Sequence, residues 1–433
     1  MSRLRLLTVE NTDDPALRDL LDRSVIPDPE VSRRVAEIIS DVAKRGAEAA
    51  TEYGDQLGGG YQRIDDESLN QAVSDLDHRL RAAIETAIES VETYQRSQMP
   101  ADRTISPTPG VEIARRWTPL RRVGAYAPGG KAAYPSTVIM TVVPAVVAGV
   151  REIVLVSPAG PDGAVAPVTL AAARLSGATE VWSMGGAQAV AALAYGTEDL
   201  APVDKIVGPG NHWVTAAKLA VLGKCAIDLP AGPSEVLVIA DETSDPTLVA
   251  VDLLSQTEHG PDSPAVLVTT DPDLAGRVEV EIERLLPDLE RSDILAKALS
   301  DHGSAVVVPD IETAVELANH YAPEHVTVLT SDAEVVGGAV TRAGSVYIGE
   351  WSPESAGDYA TGANHVLPTG GLAASYGPLS VTDFGSWRQV QTLTGEGLEN
   401  LEETITALSD AEGLTAHGLA AQIRVRKIKD GVE

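Results

Sequence analysis

Four of the eight histidines in this sequence stand beside other groups that could share chemistry with them. They are His259, His325, His365 and His417. The segment from Gln256 to His259 ends a predicted helix, and its i, i+3 spacing places these two residues on one helical face. Histidine with nearby carboxylates is the usual donor set for zinc. Each of these histidines, taken alone, is equally compatible with a hydrogen-bonded core residue.

Glu324 and His325 form a second candidate, at a predicted junction between a helix and a strand. Adjacent residues point in different directions, but at a junction a carboxylate and an imidazole can flank one substrate. Such a pair can activate water and move protons near neutral pH. Three residues separate His320 from Glu324, whereas the inverted zincin motif needs two, so that protease motif is rejected. A serine hydrolase also fits poorly, because no Gly-x-Ser-x-Gly motif is present.

The single cysteine, Cys225, excludes both a disulfide framework and a cysteine-rich zinc site. A thiol nucleophile is a common device of aldehyde-oxidising enzymes, so its setting matters. The segment around Cys225 predicts part of a strand. We therefore interpret this residue as a small buried side chain and not as a nucleophile.

The pattern of strands and helices predicts the scaffold that must position these groups. Short aliphatic strands alternate with helices from about residue 121 to 234, and a second such series runs from 235 to 378. Strands followed by helices of about 10–15 residues are typical of parallel sheets. We predict an α/β protein with two tandem Rossmann-like parallel-sheet units, a helical N-terminal region over 1–120 and a helical C-terminal tail over 379–433. The N-terminal region is expected to pack on the second α/β unit.

The turns between strands and helices could bind a phosphate. No Gly-x-Gly-x-x-Gly fingerprint follows any predicted strand, which weakens a dinucleotide interpretation without excluding it. Gly185-Gly186 and Gly208-Pro209-Gly210 still bring free backbone N–H groups to helix starts. Tight turns without a ligand would show the same pattern, so both interpretations remain open.

The charge balance restricts the partners and the setting. The chain has 63 acidic and 33 basic residues, a net charge of −30. So acidic a surface repels phosphate backbones, which argues against nucleic acid. It also suggests a halophilic source, a hypothesis that unfolding measured from low to molar salt would test. We expect a cytoplasmic protein without membrane segments, because no signal peptide and no run of about 18 apolar residues is evident.

Several segments along the chain share one family's order and composition. They stand here at 123–130, 185–189, 208–211, 231–236, 254–263, 322–325, 351–359, 364–369 and 412–417. Together they resemble the histidinol dehydrogenase family over most of the chain from about 120 to 420. Thr257 and Ala363 depart from the residues more common in these motifs, but neither is a proposed ligand.

The resemblance implies an NAD-linked, zinc-dependent oxidation of L-histidinol to L-histidine through a bound aldehyde. His325 would take the alcohol proton, and Glu324 would activate the water that attacks the aldehyde. One zinc ion per subunit would be held by Gln256, His259, Asp358 and His417. Substrate contacts would come from these four residues and from Ser234, His325 and Glu412. Cofactor contacts would come from Tyr126, Gln188 and Asn211.

The resemblance also implies a homodimer with shared active sites. The tail over 379–433 would then be exchanged, and His417 would complete the zinc shell of the other subunit. Two other functions stay open on the residues alone. One is a zinc hydrolase on the same scaffold, which would use Glu324 without a cofactor. The other is a metal- or nucleotide-binding protein without catalytic activity.

Overall fold

The computed structural model describes residues 4–129 and 133–430. Two stretches used in the sequence-based predictions lie outside these residues. They are residues 1–3, at the start of the segment considered as a signal peptide, and Gly130 of the 123–130 motif. The described chain forms two compact units. The first comprises Met1–Gln98 and Leu120–Phe384, and the second comprises Met99–Pro119 and Gly385–Glu433.

The strands are short and most are aliphatic. In chain order they are β1 (Arg5–Thr8), β2 (Tyr61–Ile64), β3 (Arg103–Ile105), β4 (Val111–Pro119), β5 (Arg122–Tyr126), β6 (Glu152–Ser157), β7 (Glu180–Met184), β8 (Lys205–Val207), β9 (Ala226–Ile227), β10 (Val236–Ala240), β11 (Ala265–Thr269), β12 (Gly303–Val307), β13 (His325–Leu329), β14 (Ser345–Ile348) and β15 (Gly385–Leu393).

The α-helices connect most of these strands. In chain order they are α1 (Arg18–Leu21), α2 (Pro29–Arg45), α3 (Ala47–Leu57), α4 (Asp66–Ser74), α5 (His78–Ser97), α6 (Pro135–Ala148), α7 (Pro167–Ser176), α8 (Gly186–Tyr195), α9 (His212–Val221), α10 (Pro246–Thr257), α11 (Leu274–Leu285), α12 (Ser292–His302), α13 (Ile311–Tyr321), α14 (Ala333–Ala339), α15 (Glu354–Tyr359), α16 (Gly395–Ala411) and α17 (Thr415–Lys429). Short 3₁₀ helices occupy Pro15–Leu17, Leu286–Asp288, Leu372–Ala374 and Val381–Phe384. Among the described helices, none has the length and apolar character needed to cross a bilayer.

Two six-stranded sheets form the first unit. The first sheet has the order β2-β7-β6-β5-β8-β9, and only β2 pairs antiparallel. The second sheet is wholly parallel, in the order β1-β12-β11-β10-β13-β14. Its central strands β10 and β13 are buried along their whole length, as strands covered by helices on both faces must be. The predicted pair of α/β units is therefore confirmed.

The N-terminal helices pack differently from the sequence-based expectation. Helix α2 lies against α8 and α9, α4 against α7, and α5 against α6, all of which flank the first sheet. The buried side chains of α2 recur at helical spacing and join the core of that sheet: Val35, Ile38, Ile39 and Val42. Residues 4–21 do pack on the second sheet: β1 joins it, and Leu17, Leu20 and Leu21 contact its core, whereas α2, α4 and α5 flank the first sheet. The expected packing on the second α/β unit is thus wrong for these helices.

The second unit contains strands that the sequence analysis missed. Strand β4 pairs antiparallel with β3 on one side and with β15 on the other, and α16 and α17 pack against each other. The expected helical tail therefore begins with a strand, and the N-terminal region is not wholly helical. Most side chains of β15 are exposed, so no alternation of apolar and polar residues marked it.

Candidate active site

A cavity of about 530 Å³ lies in the first unit where its two sheets approach each other. Pro128, just after β5, and the turn 209–211, just after β8, line it from the first sheet. Strand order reverses between β5 and β8, and such switch points at carboxyl ends are the usual ligand sites of open α/β sheets. Ser234 and Glu324, at the amino ends of β10 and β13, line it from the second sheet.

A set of possible metal ligands lies at this cavity. His259, Glu354 and Asp358 offer donor atoms that all lie within 4.8 Å of one another. Glu354 and Asp358 are buried and stand at i, i+4 on α15, whereas His259 is exposed just beyond the end of α10. A mixed nitrogen and oxygen donor set suits zinc, so these residues fit that ion.

Gln256 is fully buried one turn before His259. Its amide fits its surroundings when the nitrogen donates to Glu354 Oε1 at 2.6 Å and the oxygen accepts from the Glu235 N–H at 3.1 Å. Glu354 was not among the predicted site residues. Its only sequence signal was the i, i+4 spacing from Asp358, which surface acidic pairs share.

Burial raises the pKa of Asp358 to about 6. Protein packed around the His259 imidazole lowers its pKa below the usual histidine value, although part of the side chain is exposed. Asp358 is then the proposed ligand that must lose a proton before a cation binds. Above pH 6 the carboxylate is already formed, and below it zinc has to displace a proton.

We expect zinc affinity to fall by about tenfold per pH unit below about pH 6, and to change little above about pH 7, because ligands bind deprotonated. Competition between metal-free protein and a chelating dye, from about pH 5 to 8, measures this. Asp358→Asn is the control, and its weaker binding should lose this pH dependence. An affinity that is constant across the range in the unmodified chain would contradict the prediction.

Glu324 and His325 are buried beside one another at the start of β13. Glu324 Oε2 accepts a hydrogen bond from the Glu235 N–H at 2.9 Å. His325 Nδ1 lies 3.3 Å from the Glu235 carbonyl oxygen, which can only accept, so Nδ1 carries the proton. His325 Nε2 is then an unprotonated nitrogen, and it has no hydrogen-bond partner within the described residues.

Burial shifts the pKa values of these two residues in opposite directions, because it favours the neutral form of each side chain. It lowers the pKa of His325 to about 3 and raises that of Glu324 well above its usual range. The imidazole is therefore neutral at neutral pH, with a free nitrogen that can accept a proton. A carboxyl group with a raised pKa is a stronger base once ionised, which suits proton transfer from water.

His365 was noted in the sequence but not assigned to the site. Its Nδ1 lies 3.1 Å from the Asp358 carbonyl oxygen, and its Nε2 lies 3.4 Å from Thr137 Oγ1. Both His365 and Thr137 line the cavity. Burial lowers the pKa of His365 to about 4, so this ring is a second neutral imidazole.

The three predicted cofactor residues lie near the carboxyl ends of strands in the first sheet: Tyr126 ends β5, Gln188 lies in the first turn of α8, and Asn211 precedes α9. Asn211 lines the cavity and caps α9 by accepting from the N–H groups of Trp213 and Val214. Tyr126 and Gln188 are buried instead. The Tyr126 hydroxyl accepts from the Gly186 N–H at 3.2 Å, so it supports the turn before α8.

The turn at Gly208 is held from both sides. Its N–H donates to Asp228 Oδ2 at 2.7 Å, and its carbonyl accepts from Lys218 Nζ at 2.8 Å. Its φ of +107° and its close approach to the Tyr126 carbonyl require glycine. Gly208 therefore fixes the tight turn that leads into residues 209–211, which line the cavity.

The remaining predicted residues divide between the two units. Ser234 lines the cavity, together with His259, Glu324, His325 and Asp358. Glu412 and His417 belong to the second unit, where both are exposed, one at the end of α16 and the other in the first turn of α17. The first unit alone thus gathers most of the predicted set.

Comparison with known proteins assigns most of the chain to one family. A family model described as histidinol dehydrogenase matches residues 21–425. The chain is 42% identical over 424 residues to the histidinol dehydrogenase of Methanothermobacter thermautotrophicus, covering 97% of this chain and 100% of that protein. It is 44% identical over 417 residues to that of Vibrio parahaemolyticus, covering 94% and 95%.

A solved structure gives the same result. The crystal structure of histidinol dehydrogenase from Elizabethkingia anophelis superposes with a TM-score of 0.93 at 35% identity, and 99% of each chain is covered. The family model and the two relatives support one assignment, and this fold agrees with it. The chain therefore belongs to the histidinol dehydrogenase family.

Proposed function

We propose that the chain oxidises L-histidinol to L-histidine in two NAD-dependent steps, through an aldehyde that stays bound. The observation that carries this proposal is the cavity of about 530 Å³ in the first unit. The neutral imidazole of His325, the buried carboxyl group of Glu324 and the possible metal ligands His259 and Asp358 meet there. Membership in the histidinol dehydrogenase family supports the substrate and the place of the reaction in histidine biosynthesis.

Gln256, His259 and Asp358 would hold zinc, with His417 of the partner subunit as the fourth ligand. When bound, the ion would grip the imidazole and amine of histidinol and so orient its alcohol carbon. Ser234 would contact the substrate from the cavity wall. Glu412 would reach the same substrate from the partner's tail.

In the first step, His325 Nε2 accepts the hydroxyl proton of the alcohol while a hydride leaves the same carbon for the nicotinamide ring. Its Nδ1–H is occupied by the Glu235 carbonyl, which keeps Nε2 in the basic form. This step yields the aldehyde and one NADH. Burial of the pair excludes bulk water from the reacting carbon.

In the second step, Glu324 accepts a proton from water as the water oxygen bonds to the aldehyde carbon. The aldehyde oxygen takes back the proton held by His325, which completes the hydrate. The hydrate then returns a hydroxyl proton to His325 as it would pass a second hydride to a second NAD, and the carboxylic acid results. Glu324 Oε2 is occupied by the Glu235 N–H, so Oε1 is the oxygen left to receive the proton. Tyr126 at the end of β5, Gln188 at the start of α8 and Asn211 before α9 would shape the cofactor site on the first sheet.

Incubating the zinc-loaded protein with histidinol and NAD tests the proposal. We expect two NADH for each histidinol consumed, with histidine as the product found by chromatography. Protein treated with a chelator and then resupplied with zinc is the matched control. The absence of NADH from zinc-loaded protein would reject the proposal, and it would favour either a zinc hydrolase or a binding protein.

We also propose a homodimer in which the tails are exchanged. Helices α16 and α17 and the turn between them carry exposed apolar side chains: Leu408, Leu414, Leu419, Ile423 and Ile428. Exposed apolar surface of this kind is typical of subunit interfaces. On this proposal, the chain divides into four parts, 1–120, 121–234, 235–378 and 379–433. The last of these is the exchanged tail, and the first three together carry the cavity.

A further inference from the structure

Glu235 is a buried carboxylate beneath the acid–base pair, and no role has been assigned to its side chain. Its Oε1 accepts two backbone hydrogen bonds, from the Glu324 N–H at 3.3 Å and from the Gly370 N–H at 3.0 Å. Its own N–H donates to Glu324 Oε2 at 2.9 Å. Each of the two glutamates therefore holds the backbone of the other.

Arg23 supplies the charge that Glu235 needs in this position. Its guanidinium donates to Glu235 Oε2 and to the Tyr321 carbonyl oxygen. It also stacks on the Tyr321 ring, with 3.3 Å between the guanidinium carbon and the ring centroid. A planar guanidinium can make these contacts together, whereas an ammonium group cannot.

Arg23 reaches this position from the N-terminal part of the chain. The residues that follow it, Ser24 to Asp28, line the cavity. Val25 packs beside Gly232 and Gly370, close enough that a β-carbon on either glycine would touch it. Arg23 thus ties a wall of the cavity to the carboxylate that holds Glu324.

We propose that Arg23 and Glu235 are positioning residues that fix the Glu324 carboxylate for attack of water on the aldehyde. The inference rests on the proposed function, because it assigns a partner to the water-activating group. Without Arg23, Glu235 would be a buried charge with no cation beside it. It would then leave its present position, and the loss of its hydrogen bonds would loosen the backbone that orients Glu324.

The test compares Arg23→Met with the control Arg122→Met, in the zinc-loaded full chain. Arg122 is a buried arginine, somewhat less exposed than Arg23, that pairs with Glu152 and Glu180 at the start of β5, away from the cavity edge of that sheet. Rates are measured at saturating substrate, separately for histidinol and for histidinaldehyde. Melting temperature and bound zinc are measured on the same samples.

We expect Arg23→Met to slow aldehyde oxidation by about 10–100-fold, since small misplacements of a reacting group cost rates of that order. Alcohol oxidation should fall by only a few-fold, and bound zinc should stay at the wild-type level. Arg122→Met should lower the melting temperature and leave the ratio of the two rates unchanged. Arg23→Lys, which retains the charge and is the more conservative change, should give an intermediate loss.

A double variant separates positioning from general damage. Glu235→Gln keeps an oxygen that can accept from the two N–H groups. The variant side chain carries no charge, so it needs no arginine beside it. We expect Arg23→Met with Glu235→Gln to oxidise the aldehyde faster than Arg23→Met alone. The inference is overturned if the double variant is no faster, or if Arg23→Met and Arg23→Lys keep the wild-type ratio of rates. Failure of the proposed function is distinct, because the wild-type chain would then not oxidise histidinol.

Discussion

Glu324→Gln is expected to slow the conversion of histidinaldehyde to histidine by about 10²–10⁴-fold, the usual contribution of a general base. The amide cannot accept a proton from water, so attack on the aldehyde loses its base. Its oxygen can still accept from the Glu235 N–H, which Glu324 Oε2 binds in the native chain. The local structure is therefore preserved, and the loss is chemical.

Oxidation of the alcohol should suffer far less, because His325 Nε2 takes the hydroxyl proton in that step. Single-turnover measurements with histidinol and with histidinaldehyde separate the two steps. Glu334→Gln, on the exposed face of α14, is a matched control that should leave both unchanged. Equal losses in the two steps would contradict the water-activating role of Glu324.

Mixing two inactive variants is expected to restore activity if the tails are exchanged. In a heterodimer of His417→Asn and Glu324→Gln chains, one site receives an intact Glu324 from its own chain and an intact His417 from the partner. The other site carries both defects. Purified heterodimers should therefore show about half of the wild-type activity, and a random mixture about a quarter, if each closed dimer has two such sites.

The measurement requires unfolding and refolding the two chains together, with different affinity tags to isolate heterodimers. Each variant refolded alone is the control and should stay inactive. If the site lay within one chain, every site in the heterodimer would carry one defect. Proven heterodimers without activity would therefore place His417 in its own subunit's site.

The sequence predicted the parts of the site that depend on local order. The alternation of aliphatic strands and helices predicted the two α/β units, since buried parallel strands must be continuously apolar. Local order placed Gln256 in the last turn of α10 and His259 just beyond its end, and the junction placed Glu324 beside His325. The structure gathers these residues, Ser234 and Asp358 around one cavity of the first unit. Their roles remain predictions for the experiments above.

Long-range contacts decided the rest. The pairing of β15 with β4 joins residues more than 250 positions apart, and neither strand carries a buried alternating pattern that would reveal it. Helices α2, α4 and α5 likewise pack on the first sheet. Their apolar faces match its surface, and no local sequence pattern specifies which sheet they cover.

The charge network beneath Glu324 and His325 shows the same division. By itself the sequence determined which groups could perform the chemistry, because the donor and base character of Gln256, His259, Glu324 and His325 follows from residue type and local spacing. Only the tertiary structure decided that Glu354 would join the ligand cluster and that Arg23 would neutralise Glu235. Such pairings form where distant segments meet in a low-dielectric interior, and there burial selects the partners and shifts their pKa values.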